Sequence, residues 1–169
     1  GELIIENCVI KENESAENGA GLFLGAKSVC RNSIIHNNTA GDEGGGVHLL
    51  FFTFSSDPEP LIENCLIYDN HGDYGGGIYG KSGGIVKNSH VTANQARYGA
   101  GIYLESAGRA DNCLISHNEA NFYGGGIYLY YGGEATGNTI VSNDAGYSGG
   151  GVYRRYDSGI VQNSILWNN

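Results

Sequence analysis

What most constrains this chain is a unit of roughly 25 residues that recurs nearly seven times. Each copy reads Asn, then Cys, Ser or Thr, then two apolar residues, a second Asn, and a Gly-Gly/Ala-Gly triplet followed by an aliphatic and commonly an aromatic residue. The leading Asn falls at Asn7, Asn32, Asn64, Asn88, Asn112, Asn138 and Asn163, with steps of 25, 32, 24, 24, 26 and 25. Such a period means stacked units, each burying an apolar face that it cannot cover alone. Helical units are excluded, because Gly occurs 29 times, mostly in triplets, and each would cost a helix about 1 kcal/mol. Short β-branched runs such as Leu3-Ile4-Ile5, Ile85-Val86 and Ile160-Val161, broken by Asn and Gly at fixed offsets, predict an all-β fold. It is a parallel β-helix of about seven coils over residues 1–169, with one inserted loop at 49–60.

In such a coil equivalent residues stack about 4.8 Å apart, so each alignment column becomes a ladder. Ile5, Cys30, Ile62, Val86, Ala110, Thr136 and Val161 form one inward column, and Ile10, Ile35, Ile67, Val91, Ile115, Val141 and Leu166 a second. Leu22, Val47, Ile78, Ile102, Ile127 and Val152 form a third. Asn side chains in both Asn columns are read as structural, hydrogen-bonding along the axis and tolerating the left-handed backbone of a bend. The second of these columns is Asn13, Asn38, Asn70, Asn94, Asn118, Asp144 and Asn169; Asn143 precedes its one Asp, so the bend there can shift by a residue. A phosphate-binding role for the glycines is disfavoured, since such a loop occurs once and opens a helix.

A formal charge of -9 with only 9 Lys+Arg argues against nucleic acid, and no run of 18 apolar residues spans a membrane. Met is absent, and both termini fall within ordinary repeat sequence, as expected of a segment of something longer or a processed product. The edges look uncapped, so either flanking residues cap them or chains stack end to end into a filament. Cys8, Cys65 and Cys113 follow the leading Asn on alternate rungs, about 9.6 Å apart, beyond disulfide reach. Together with Cys30 they read as small buried fillers, and no metal-ligand spacing occurs.

Three features exceed what a scaffold needs. The column Val9, Ile34, Leu66, His90, Leu114, Ile140 and Ile165 adjoins an inward column, so alternation turns it outward unless a bulge turns both inward; outward, it marks a partner surface. Phe23, His48, Tyr79, Tyr103, Tyr128 and Tyr153 form an outward ladder, with Tyr74, Tyr98 and Tyr123 across the glycines. Those rings suit a glycan, a protein interface, or simple cross-strand stabilisation. The insertion holds Phe51, Phe52 and Phe54 and both prolines, and covers its own coil or enters a partner. Asp57 and Glu59 within it are too few carboxylates for a calcium site, so no cofactor is assigned.

A β-helix hydrolase or lyase gathers paired acids on adjacent rungs. Asp42 with Glu43, Asp69 with Asp73, Arg97 with Glu105 and Arg109 with Asp111 are the candidates, and none forms a column; His36, His48, His71, His90 and His117 are dispersed. No catalytic residue is assigned on this basis. The Gly-Gly-Gly-Ile at Gly75 to Ile78 and Gly124 to Ile127, with Ile67-Tyr68-Asp69-Asn70 and Ile115-Ser116-His117-Asn118, resembles the paired repeats of polymorphic outer membrane proteins, Gly-Gly-Ala-apolar and Phe-x-x-Asn. This chain has Gly for their Ala, and Ile or Val for their Phe. That resemblance implies a right-handed, pectin-lyase-like β-helix of bacterial surface adhesins and autotransporter passenger regions, with adhesion or surface display as its role. Two functions follow: a non-enzymatic extracellular or cell-surface scaffold binding a protein partner, sister chains or a glycan, and, as the alternative, a polysaccharide-degrading enzyme.

Overall fold

A computed structural model describes residues 2–52, 56–156 and 159–169. Every strand pairing among them is parallel, and each sheet runs in coil order. The third coil shows the plan, with strands at Leu61–Glu63 (sheet A), Leu66–Tyr68 (sheet B), His71–Tyr74 (sheet C) and Ile78–Lys81 (sheet D). Sheets A and B hold seven strands and sheets C and D six, so six full turns are followed by two strands of a seventh. The β-helix architecture expected from the repeat is therefore present.

The core is one axial cluster in which Ile62, Ile67, Ile78 and their equivalents in the interior coils are fully buried, with Ile5, Ile10, Leu22 and Val152 partly buried at its ends. Three-residue strands explain its economy. In sheet B the middle residue points inward and its two neighbours outward, so each interior coil contributes one aliphatic side chain to the core from this face. Outside sheet A a second column, Glu6, Arg31, Glu63, Lys87 and Asp111, alternates in sign. Arg31 meets Glu6 at 3.1 Å and Lys87 meets Glu63 at 3.0 Å, so in-register stacking sets unlike charges on neighbouring rungs.

The two Asn columns do different work, where the sequence suggested one role for both. Leading Asn residues such as Asn64 and Asn88 take left-handed backbone at φ 53 and φ 50 with their side chains exposed. Axial bonding belongs to the second column alone. From Asn13 to Asn169, each Nδ2 donates to the Oδ1 one rung on, at 2.8 to 3.0 Å, through Asn38, Asn70, Asn94, Asn118 and Asn143. Each Oδ1 also accepts the preceding Asn backbone amide, and each interior Nδ2 donates to a core-strand carbonyl, as Asn94 does to Ile67. The left-handed residue of this bend is the one before the Asn, such as Asp69 or Ala93. The ladder also accounts for the third Gly of each triplet: a Cβ on Gly101 would lie 2.5 Å from the Gly126 carbonyl oxygen and 2.9 Å from Asn118 Nδ2.

The sixth coil corrects the column assignments by one residue. Gly137, at φ 68, takes the left-handed position assigned to Asn138, whose side chain instead points inward and accepts the Cys113 amide at 2.8 Å. Ala135 rather than Thr136, and Ile140 rather than Val141, therefore stand in the inward columns, and Asn143 rather than Asp144 joins the amide ladder. Thr139 replaces Ile140 in the outward column of sheet B.

Candidate functional site: the bend from sheet D to sheet A and the aromatic face

After coils 3, 4 and 5 the chain passes from sheet D to sheet A through three residues, 82–84, 106–108 and 131–133. After the second coil it takes ten, 51–60, which carry the irregular repeat step. The loop is shorter than the expected 49–60: Leu49 is a fully buried core residue and Leu50 ends the strand Val47–Leu50. Both flanks of the insertion bind their own coil. Phe51 donates its amide to the Lys81 carbonyl and lays its ring over Gly83. Lys27 meets Asp57 at 2.8 Å and donates its backbone amide to Pro58, while Glu59 accepts the Gly84 amide at 2.8 Å. These contacts occupy the two carboxylates weighed for calcium. Phe52 is 68% exposed, and Phe54 lies outside the described residues.

Glu59 divides the surface beside this bend in two. On one side an apolar concavity of about 410 Å³ lies among Lys27, Val29, Pro58, Leu61 and Ile85. On the other a polar concavity of about 450 Å³ is lined by Glu59, Arg109, Glu134, Ala107, Gly133, Gly159 and Ile160. Arg109 and Glu134 are register neighbours on sheet A. Two carboxylates and a guanidinium thus share a wall, a set that column-by-column reading missed because Glu59 comes from the insertion.

The aromatic ladder on sheet D stacks as expected, but it is not an open platform. Tyr79, Tyr103 and Tyr128 are buried with Tyr74, Tyr98 and Tyr123 packed against them; Tyr74 meets Tyr103 and Tyr98 meets Tyr128 edge-on, at 5.7 and 6.1 Å. Tyr153 is half-buried with that outer row. Burial raises the phenols of Tyr79, Tyr103 and Tyr128, and Tyr79 donates to Glu105 at 2.5 Å. Open ring surface remains at the ladder's edges, on Phe23, Tyr131, Tyr147 and Tyr156. Tyr147 stacks on Phe122, which carries the Arg97 guanidinium 5.4 Å from its centroid.

His48 occupies a ladder position between Phe23 and Tyr79 and is 1% exposed. Burial, and then the charge of Lys81, push its pKa down to about 4. Its Nδ1 lies 3.6 Å from Glu43, whose carboxylate also meets Lys81 at 3.5 Å. The other paired candidates separate: Arg97 bonds Asp73 at 3.3 Å, not Glu105, and Arg109 and Asp111 stand in different columns. All four cysteines carry free thiols, and Cys8 is exposed rather than a buried filler. Burial pushes the Cys113 thiol up to about 11.

No curated protein and no solved structure matches the chain. A family model described as the right-handed β-helix region matches residues 51–169. That span starts at the insertion and takes in the amide ladder from Asn70 onward, the buried tyrosines and the polar concavity, and by it the chain belongs to the right-handed β-helix family.

Proposed function

We propose that this β-helix is a non-enzymatic extracellular or cell-surface scaffold of the adhesin type that binds another protein chain along the outer face of sheet B. The observation that carries this reading is the outward column Val9, Ile34, Leu66, His90, Leu114, Thr139 and Ile165. Five of the seven are aliphatic, and Ile34 and Leu114 in the middle coils are 37% and 39% exposed. Singly exposed aliphatics need no explanation, whereas aliphatics repeated in register along one sheet, interrupted only by His90 and Thr139, are the geometry of a partner contact. The half-buried outer tyrosines Tyr74, Tyr98, Tyr123 and Tyr153 offer a second, narrower contact for a glycan. A paired substitution, Ile34→Lys with Leu114→Lys, tests the strip: adhesion to immobilised matrix or cells is lost while the circular dichroism spectrum and melting temperature hold. Unchanged adhesion would sink it.

The polar concavity favours a second reading, a polysaccharide-degrading enzyme using Glu59 and Glu134 beside Arg109. Incubation with acidic and neutral polysaccharides, followed by reducing-end and unsaturated-product assays, separates the two. Turnover abolished by Glu134→Gln overturns the scaffold.

A further inference from the structure

The last two coils carry an aromatic corner that neither the amide ladder nor the sheet B strip requires. At the bend after sheet D the left-handed position is filled by Ser82 and Ser106 after coils 3 and 4, at φ 62 and φ 71, and by Tyr131 after coil 5, at φ 62. A bulky side chain there is strained, and such strain persists where surrounding contacts hold it. The contact is visible: Tyr131 stacks on Tyr156 of the next rung with ring centroids 4.2 Å apart and planes 1° from parallel. Tyr130 closes the corner edge-on to both, at 4.4 and 5.2 Å, and the Arg155 guanidinium lies 5.6 Å from the centroids of Tyr130 and Tyr156.

We propose that Tyr131 and Tyr156 are a site of oxidative cross-linking, at which a peroxidase with hydrogen peroxide joins the two rings through a carbon–carbon bond between their ortho positions. Each phenol loses one electron and its hydroxyl proton to give a phenoxyl radical. The two radicals couple at ortho carbons, each of which then releases its hydrogen as a proton while the phenolic oxygens are reprotonated. The protein loses two hydrogens in all, and one peroxide takes up the two electrons and two protons to become two waters.

Three observations select this pair. Its rings are already in contact, so coupling needs only a small tilt and no diffusional encounter. They are 52% and 38% exposed with centroids 4.2 Å apart, whereas Tyr79, Tyr103 and Tyr128 are buried away from an oxidant, and the half-buried stacked pairs Tyr74–Tyr98 and Tyr98–Tyr123 stand farther apart, at 5.2 and 6.1 Å. Tyr147 is more exposed still, but it stacks on Phe122, which has no phenol to couple. Hydrogen bonds from the Tyr131 and Tyr130 hydroxyls, and then the charge of Arg155, hold the Tyr156 phenol below its ordinary range, while the bond to Tyr156 raises the Tyr131 phenol, so Tyr156 is the ring that gives up its proton more readily. The sequence contains no Met to absorb the oxidant first, which leaves exposed Cys8 as the competing thiol.

The test treats the whole chain, with Cys8→Ser to remove the competing thiol, with peroxidase and hydrogen peroxide at low protein concentration. The expected product is a monomer lighter by two hydrogens, with the blue fluorescence of dityrosine and a linked peptide pair containing Tyr131 and Tyr156. Tyr131→Phe and Tyr156→Phe, which keep the rings, each abolish the fluorescence and the linked peptide, while Tyr147→Phe leaves both unchanged. Fluorescence that survives in either of the first two variants, a product found only as covalent dimers, or no dityrosine at all overturns the assignment.

Discussion

Two of the bends in each coil differ in how strictly they are built. Between sheets B and C every coil places an Asn in the buried ladder after one left-handed residue, with no change in length. Between sheets D and A the connection runs from three residues to ten, and its left-handed residue also moves: it is the first of the bend at Ser82, Ser106 and Tyr131 but the last at Lys27. The physical difference is burial. A bend facing the core must satisfy its polar groups from within and tolerates no variation, whereas a bend facing water is free to vary and carries whatever the surface needs.

The sharpest way to break that contrast is at the centre of the amide ladder. Asn94→Leu leaves the carbonyls of Ile67 and Thr92 without the donor they now share, strands the Asn70 backbone amide, and leaves Asn118 Oδ1 with only the residue 94 backbone amide. With several buried polar groups unpaired at once, a loss of about 4 kcal/mol is expected in urea unfolding. A loss under about 1 kcal/mol would mean that water or a rung shift replaces the ladder readily, and the strict bend would not be strict.

A smaller effect separates two glycines. Gly101→Ala drives a methyl group against the Gly126 carbonyl and the Asn118 amide and is expected to cost about 3 kcal/mol. Gly25→Ala, in the D-to-A bend with nothing within 4 Å of the new carbon, is expected to stay within about 0.5 kcal/mol. Equal midpoints for the two variants would erase the distinction between the bends.

Much of this architecture was legible in the repeat. The aliphatic columns, the outward strip and the location of the irregular step follow from period and alternation, which act on every coil alike. The slip in the sixth coil arose because Asn138 mimics the leading Asn; the cue was the six-residue spacing from Gly137 to Asn143, which matches Asn7 to Asn13. Burial of Tyr79, Tyr103 and Tyr128 was not legible, because it depends on a second layer of rings folding across the glycines, and alternation reports only direction. Glu59 escaped because an insertion has no column. The alternating charges outside sheet A are legible too, as Glu6, Arg31, Glu63, Lys87 and Asp111 directly before the leading Asn of the first five coils.

His48 sharpens the comparison through pH. Its pKa is about 4 in the folded chain against 6.5 when unfolded, so between those values the unfolded state binds the proton more tightly. Stability is therefore expected to fall as pH drops below about 6.5 and to level off below about 4, by up to about 3 kcal/mol, softened by Glu43 nearby. His48→Phe keeps the stack on Phe23 and removes the titration, so the variant gains on the parent as pH falls. Parallel pH profiles for the two proteins would show that this ring is not the titrating group. His90 is also held down, by burial and then by the charge of His117, and leaves a smaller residual in the variant.

The finest comparison lies within the permissive bend. Tyr131 carries a left-handed backbone that costs a bulky residue about 1 kcal/mol, and its stack on Tyr156 returns about as much. Tyr131→Asn relieves the first and loses the second, so a net change within about 0.5 kcal/mol is expected. Tyr156→Ala loses the stack but keeps the strain, and is expected to cost about 1 kcal/mol. The ordering matters more than either value, because it measures whether the stack holds the strained residue in place. If Tyr131→Asn proves the more damaging of the two, Tyr131 is bound by more than its stack on Tyr156, and the bend is less permissive than its variable sequence implies.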